Sequence, residues 1–324
     1  MTQPARFTVL ASGSDGNAAF LEYNGFGLLI DLGLNADHLT ARLRSIGVSW
    51  SRISAAILTH IHTDHWKDST LAELCDRRIP VYGHCLHFEH LEAASASLVS
   101  LRQAGLLRFY QENTLIPLNS ALTCWPVRVS HDAEPTFAFR LDGLDHESSW
   151  PGENQAPWPA NPAWAIGYAS DLGCSCDELI TAFAGVDVLA LEYNHDVHLQ
   201  RTSRRPPWLI NRVLSDRGHL SNKQAAELTA AIVAQSADGL PSYLVQLHLS
   251  SRCNRPELAA LAGREALVAL RPRTEVITAK QDTPTKTIVL TRQHNAPQRS
   301  LPRTNKSGKR KNVQQQLPGL EETW

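Results

Sequence analysis

Seven consecutive residues constrain this chain more than any others: Thr59-His60-Ile61-His62-Thr63-Asp64-His65, placed directly after an apolar run, 53–58, that reads as a buried strand. In extended backbone alternate side chains share a face, so His60 and His62 point the same way. A turn after them swings Asp64 and His65 toward the same space. Imidazole and carboxylate together suit zinc and related divalent ions. Four donors so closely spaced supply parts of two adjacent metal sites. A solvated histidine-rich loop is the bland alternative, and the position at a strand end favours the metal.

A catalytic metal needs about four donors and one open position, so further ligands are required. His131 follows the run 124–130, Asp171 follows 163–170 and His248 follows 242–247. Each stands where a predicted strand gives way to a loop, the usual place for site residues on a rigid scaffold. With His60, His62, Asp64 and His65 they make a set of seven.

The rest of the chain supplies that scaffold. Asn24-Gly25 between the apolar runs 18–23 and 26–30 is a hairpin signal. Leu39, Leu43 and Ile46 recur at helical spacing over 36–46, and 68–75, 222–234 and 255–270 also read as helices. Strands are expected at 122–129, 136–141, 163–169, 186–191, 242–247 and 275–277. The stretch 143–162, rich in Pro, Trp, Glu and Asn, reads as a surface loop inserted into a hairpin. Two β-rich halves with helices outside fit a two-sheet core. Residues 1–293 are read as one domain. Residues 294–324 are polar, basic and without periodicity, and are expected to be a disordered tail.

Composition excludes several classes. With 43% hydrophobic residues in 324, the chain can bury a core without disulfides and is not wholly disordered. No run approaches ~18–20 uninterrupted apolar residues, so no membrane span is expected, and the N-terminus lacks a signal peptide's apolar core and cleavage site. Six scattered cysteines without a C-x-x-C pair suit a reduced, cytoplasmic protein with no cysteine metal site. The net charge of −1 hides an asymmetry. Six of 31 basic and two of 32 acidic residues fall after residue 297, leaving about −5 on the body and +4 on the tail. An acidic body disfavours non-specific nucleic-acid binding, while a local basic patch can still supply it.

The sequence resembles the metallo-β-lactamase-fold hydrolases, and within them the YycJ/WalJ-like group. The matching pieces are LASGSDGN (10–17), LLIDLG (28–33), LTHIHTDH (58–65), VSHDAEP (129–135), GYASDLG (167–173), LALEYNHD (189–196), GHLSN (218–222) and LHLSSRCN (247–254). They stand in the family order over about 7–280, with Ser170 where a Thr is common. The resemblance implies an α/β fold, an αββα sandwich of two mixed β-sheets with outer helices and two divalent metals, Zn2+ or Mn2+, at one edge. One metal would take His60, His62 and His131, the other Asp64, His65 and His248. Asp171 would bridge them, with a water or hydroxide between. Asp31, closing a strand into Gly33, either orients the ligands or caps a turn.

RNase Z-like relatives use a Glu and a His in similar motifs for proton delivery, which Glu192 and His219 match. His195 lines the same pocket or hydrogen-bonds within its loop. Two metals suit phosphodiester hydrolysis, since attacking and leaving oxygens are both stabilised. The resemblance further implies a DNA exonuclease, 5′-to-3′ on duplex DNA and linked to DNA repair. Between 201 and 223, Arg201, Arg204, Arg205, Arg212, Arg217 and Lys223 face one acid, Asp216. Arg204, Arg205 and Arg212 are the candidate phosphate contacts, a solvated loop being the alternative. Trp208 reads as a packed side chain rather than a base-stacking one. In the tail, Gln316-Leu317-Pro318-Gly319-Leu320 resembles the short peptides by which bacterial DNA enzymes bind the sliding clamp. Two other functions compete: a metal-dependent hydrolase of a small phosphodiester or thioester, and a non-catalytic protein stabilised by metal. The first calls for a narrow pocket without the basic segment at its mouth.

Overall fold

The Asn24-Gly25 turn behaves as its sequence predicts. Both residues have positive φ, 48° and 78°, the mirror-image turn geometry that suits the twist of a two-residue hairpin. It joins β2 (Ala18–Tyr23) to β3 (Phe26–Ile30), and β1 (Ala5–Ala11) pairs antiparallel with β2. Three parallel strands extend this sheet: β4 (Ala55–Ile57), β5 (Val81–His84) and β6 (Leu107–Tyr110). The second sheet comprises β7 (Ile116–Pro117), β8 (Leu122–Val129), β9 (Thr136–Gly143), β10 (Trp164–Ala169), β11 (Val188–Glu192), β12 (Tyr243–Leu247) and β13 (Glu275–Thr278), in sequence order across the sheet. Then β14 (Ile288–Leu290) returns to pair with β1 on the first sheet. The computed structural model describes residues 3–291 apart from 134, 150–156, 237–239 and 272.

Alternation of side chains builds the layers. In β11, Val188 and Ala190 enter the core between the sheets, while Leu189 and Leu191 face helices. In β2, Ala19, Leu21 and Tyr23 face the inter-sheet core, and Ala18 and Phe20 the opposite side. Strands buried on both faces read as near-continuous apolar runs, which is why these runs show so clearly in the sequence. On the first sheet's outer face lie α1 (Ala36–Ser45), α2 (Asp68–Asp76), α3 (Cys85–Glu92) and α4 (Ala96–Gln103). On the second lie α5 (Asp177–Phe183), α8 (Asn222–Ala234) and α9 (Pro256–Val268). Two short helices, α6 (Val197–Arg201) and α7 (Pro207–Val213), fill the connection after β11. The architecture is an αββα sandwich of two mixed sheets. No helix among the described residues is long and apolar enough to cross a membrane.

Several details differ from expectation. The run 53–58 contributes only three strand residues, and no element was expected over 79–110, where β5, α3, α4 and β6 form. The insertion does join hairpin partners, since Trp164 pairs with Gly143. It is not wholly a surface loop: Trp158 is buried against Trp125 and under the Arg140 guanidinium. The tail 294–324, with the clamp-like 316–320, lies outside the described residues.

One glycine ties the sandwich to its edge loops. The Gly33 N–H donates to the Asn17 carbonyl (2.9 Å), and the Asn17 N–H donates to the Asp64 carbonyl (2.8 Å). A Cβ on Gly33 would collide with that Asp64 carbonyl, which is backbone and cannot swing away. Gly33→Ala is therefore expected to destabilise the fold by ~1–3 kcal/mol and to lower metal content by displacing Asp64. Urea unfolding and elemental analysis check both. Wild-type stability with full metal content would show that the loops yield freely.

Candidate metal centre

Strand direction decides where the site forms. β3 runs parallel to β4, and β10, β11 and β12 are mutually parallel. β8 and β10 are both antiparallel to β9, so they too point the same way. Asp31, the His60–His65 turn, His131, Asp171, Glu192 and His248 all stand at or just past the C-terminal ends of these strands. One edge of the sandwich thus receives every predicted ligand. Donor atoms within 4.8 Å of one another form four overlapping groups: His60, His62 and His131; Asp64, His65 and His248; His60, His65 and Asp171; and Asp171, Glu192, His219 and His248.

The imidazoles share an orientation. His65 Nδ1 donates to Asp31 Oδ2 (2.8 Å), His131 Nδ1 to the Gly218 carbonyl (2.9 Å), and His248 Nδ1 lies 3.1 Å from Glu192 Oε1. His60 Nδ1 lies 3.0 Å from the Thr59 hydroxyl. In each of these four rings the outer nitrogen is engaged and Nε2 is turned inward. Anchoring one ring nitrogen on a carboxylate or carbonyl while the other ligates is the arrangement metal-binding histidines adopt. His60 Nε2 is buried with no hydrogen-bond partner among the described residues. Buried polar atoms are rarely left so, and a cation among these donors would satisfy it. Asp171 reaches both halves: Oδ2 is 3.0 Å from His65 Nε2 and Oδ1 is 3.7 Å from His131 Nε2. The donor set therefore fits divalent ions.

Electrostatics separate the rings into two kinds. Burial, with neighbouring imidazoles, holds the pKa of His60 well below the ordinary histidine value, and burial also lowers those of His62 and His131. Burial also acts on His65 and His248, but Asp31 and Asp171 outweigh it at the first, and Asp171, Asp64 and Glu192 at the second, so both are raised. Burial would lift the Asp171 and Asp64 carboxyls, yet the adjoining imidazoles pull both below the usual carboxylate range.

The contacts of Asp31 fit an orienting role. Its φ of 62° lies in the left-handed region, a conformation costing a non-glycine residue ~1–2 kcal/mol. That turn aims its carboxylate inward, where it accepts from the Thr59 N–H (2.8 Å) and hydroxyl as well as from His65. His248 also has positive φ, 54°. A buried amide network holds its loop: Asn194 Nδ2 donates to the His248 carbonyl, and Asn254 Nδ2 to the Tyr193 and Asn194 carbonyls.

Glu192 joins the metal donors to His219. Its Oε1 accepts from His219 Nδ1 (2.7 Å), and its Oε2 accepts from the Leu172 and Leu220 N–H groups. Ser221 caps α8 in a reciprocal box with Gln224, which fixes the chain two residues after His219. His219 is partly exposed and lines two adjoining cavities. One, of about 340 Å3, opens on His62, Asp64, Asp171 and His248. The other, of about 710 Å3, is lined by Arg204, Arg205, Arg212 and Arg252. His195 lines neither of these. It is buried, neither ring nitrogen has a hydrogen-bond partner, and burial lowers its pKa to about 4. Trp208 is not packed, contrary to expectation: it is 65% exposed on α7.

Four neighbours carried no signal of their own in the sequence. Asn17 donates Nδ2 to Asp64 Oδ2 (3.2 Å) from a turn that reads only as a turn. Asp132, beside His131, lies 3.3 Å from His131 Nε2 and 3.4 Å from His62 Nε2, and pairs with Arg212. Thr59 bridges Asp31 and His60. Arg252 sits far from the basic segment in sequence.

These contacts make Asp31→Asn a direct test of ligand orientation. The amide cannot hold His65 Nδ1–H as a carboxylate does, so metal affinity is expected to fall ~10–100-fold with the fold intact. Competition against a chromogenic chelator measures it. Unchanged affinity would assign Asp31 a turn-capping role only.

Comparison with known proteins agrees with this geometry. The β-lactamase superfamily domain matches residues 28–237. "Exodeoxyribonuclease YycJ" of Bacillus anthracis is 26% identical over 269 residues, covering 81% of this chain and 88% of that protein. "Exodeoxyribonuclease WalJ" of Streptococcus pneumoniae serotype 2 is 27% identical over 260 residues, covering 78% and 85%. The metallo-β-lactamase-fold protein YhfI of Bacillus subtilis shares the fold with a TM-score of 0.60 at 15% identity, over 88% of this chain and 99% of that one. With the family match spanning well over half of its length, the protein belongs to the β-lactamase superfamily and is a metal-dependent hydrolase.

Proposed function

We propose that the protein is a cytoplasmic DNA exonuclease that uses two divalent ions, zinc or manganese, and degrades duplex DNA 5′-to-3′. The observation that carries this reading is the junction of two cavities, one lined by metal donors and the other by four arginines. Phosphodiester recognition needs both, and a small uncharged thioester needs only the first. The polarity and the DNA preference rest on the two relatives named exodeoxyribonucleases, and the six free cysteines suit a reducing compartment.

His60, His62 and His131 would hold one ion, and Asp64, His65 and His248 the other, with Asp171 between. Divalent ions at such a site neutralise charge on phosphoryl oxygens and activate water near neutral pH. The protein's own part is positioning and proton transfer. Glu192, fixed by two backbone N–H groups, holds His219 by Nδ1 and leaves Nε2 to carry a proton. From the shared wall of the two cavities, His219 can deliver that proton to the leaving oxygen of a phosphodiester. His195, buried outside both cavities, supports the wall: its carbonyl accepts from the Asn222 N–H (2.8 Å).

End-labelled linear duplex, incubated with stripped protein and added Mn2+ or Zn2+, tests the reading. Stepwise shortening that requires metal and is abolished in Asp171→Ala is expected, and the labelled end reports the polarity. A protein that holds two ions and cleaves no DNA, but hydrolyses a small phosphodiester, would establish the small-substrate hydrolase instead. His219→Ala is expected to keep its metal and lose ~10²–10⁴-fold in turnover. Loss of metal in that variant would make His219 a ligand rather than a proton donor.

A further inference from the structure

The arginine cavity holds more positive charge than its surroundings neutralise. Its four guanidinium groups come from separate places: Arg204 and Arg205 from the turn between α6 and α7, Arg212 from α7 and Arg252 from the loop after β12. Among the described residues only Arg212 has a carboxylate partner, Asp132. Arg205 contacts neutral groups, Gln200 Oε1 at 3.2 Å and Ser250 Oγ at 3.3 Å. No carboxylate among the described residues lines the cavity. Three like charges around one space of about 710 Å3 repel one another until an anion enters.

We propose that this cavity receives the terminal phosphate monoester of a nucleic-acid strand, so that hydrolysis proceeds from ends; this rests on the nuclease reading above. A terminal monoester carries a charge of about −1.5 to −2 near neutral pH, whereas each internal diester carries one. Guanidinium groups also bind the monoester's three free oxygens in paired hydrogen bonds. Leu199, Pro206 and Leu209 form an apolar part of the wall, which suits the attached sugar and base. Ser14, Arg212 and His219 line both cavities. A phosphate seated among the arginines therefore lies beside the metal donors, and the strand end is held where its neighbouring linkage is cut.

The test compares duplexes identical except for their ends: 5′-phosphate, 3′-phosphate or hydroxyl only. Wild-type holoenzyme is expected to degrade one phosphate-bearing substrate about 10–100-fold faster, by kcat/KM, than the hydroxyl-ended one, and the favoured end identifies the phosphate recognised. Arg204→Ala/Arg252→Ala should bring that ratio to about one, and the lysine pair should restore part of it. The ratio is taken within each variant, so partial loss of metal or fold cancels. If the double variant is insoluble, Arg252→Gln alone serves. Equal rates on all three duplexes in wild type, or a ratio unchanged in the variants, overturns the proposal. If no duplex is cut, the nuclease reading fails. The cavity is then judged by titrating a nucleoside 5′-monophosphate against its nucleoside: tighter binding of the phosphate that the variant loses upholds it, and equal binding overturns it.

Discussion

Three fully buried carboxylates, Asp31, Asp171 and Glu192, set the terms for this structure. Removing an ionised carboxylate from water costs several kcal/mol unless partners compensate it. Each carboxylate here has a distinct compensation. Asp31 takes the Thr59 N–H and hydroxyl and His65; Glu192 takes two backbone N–H groups, His219 and His248; Asp171 has imidazoles on both sides. The first two are closed, hydrogen-bonded arrangements. Asp171 is the exception: among the described residues it takes no backbone N–H, and it faces only the imidazole nitrogens of residues such as His65, His131 and His248. The acid without backbone donors is the one at the centre, as expected where a cation completes the network.

This network also explains why the sandwich has its particular edge. The six strand ends that carry donors belong to two different sheets, so neither sheet alone can build the site. The two are fastened at that edge by backbone and side-chain bonds. The Phe137 N–H donates to the Thr59 carbonyl and the His248 N–H to the Ser12 hydroxyl. Inter-sheet packing of residues such as Leu21, Ile57, Phe139 and Val245 sets the spacing. The strained backbone at Asp31 and His248 then aims single side chains across the gap. Packing provides the frame, and local strain provides the final aim.

Much of this was legible in the residues. Strands buried on both faces appear as apolar runs, and the helix expected at 222–234 from its apolar spacing matches α8, which the structure caps with Ser221 and Gln224. The clustering of the donors was legible because histidine and aspartate at strand ends combine two unusual features. What escaped detection had no such pattern. β5 and β6 are four residues each with mixed burial, and α3 and α4 are short. β14 is a three-residue strand whose pairing with β1 spans nearly the whole chain. Asp132 and Arg252 are carried to the site by their chain neighbours His131 and His248, and neither residue has a pattern of its own that marks it. Trp208 followed the habit of tryptophan to pack, but it lies on a short helix whose one buried residue is Val213.

On the proposed function, charge would give the site its selectivity as burial gives it its demand for metal. The body of the chain carries about −5, so its long-range field offers little attraction to a polyanion. Attraction must then come from groups close to the ligand, and the arginine cavity is where such groups are concentrated. Its wall is continuous with the donors through His219 and Arg212, and Arg212 is paired to Asp132, which in turn touches His62 and His131. The cationic and the metal-binding halves therefore share residues instead of merely adjoining. On the proposed function, a phosphate drawn to one half would compete for the guanidinium that steadies the other, and the two cavities would act as a single binding surface for a charged chain.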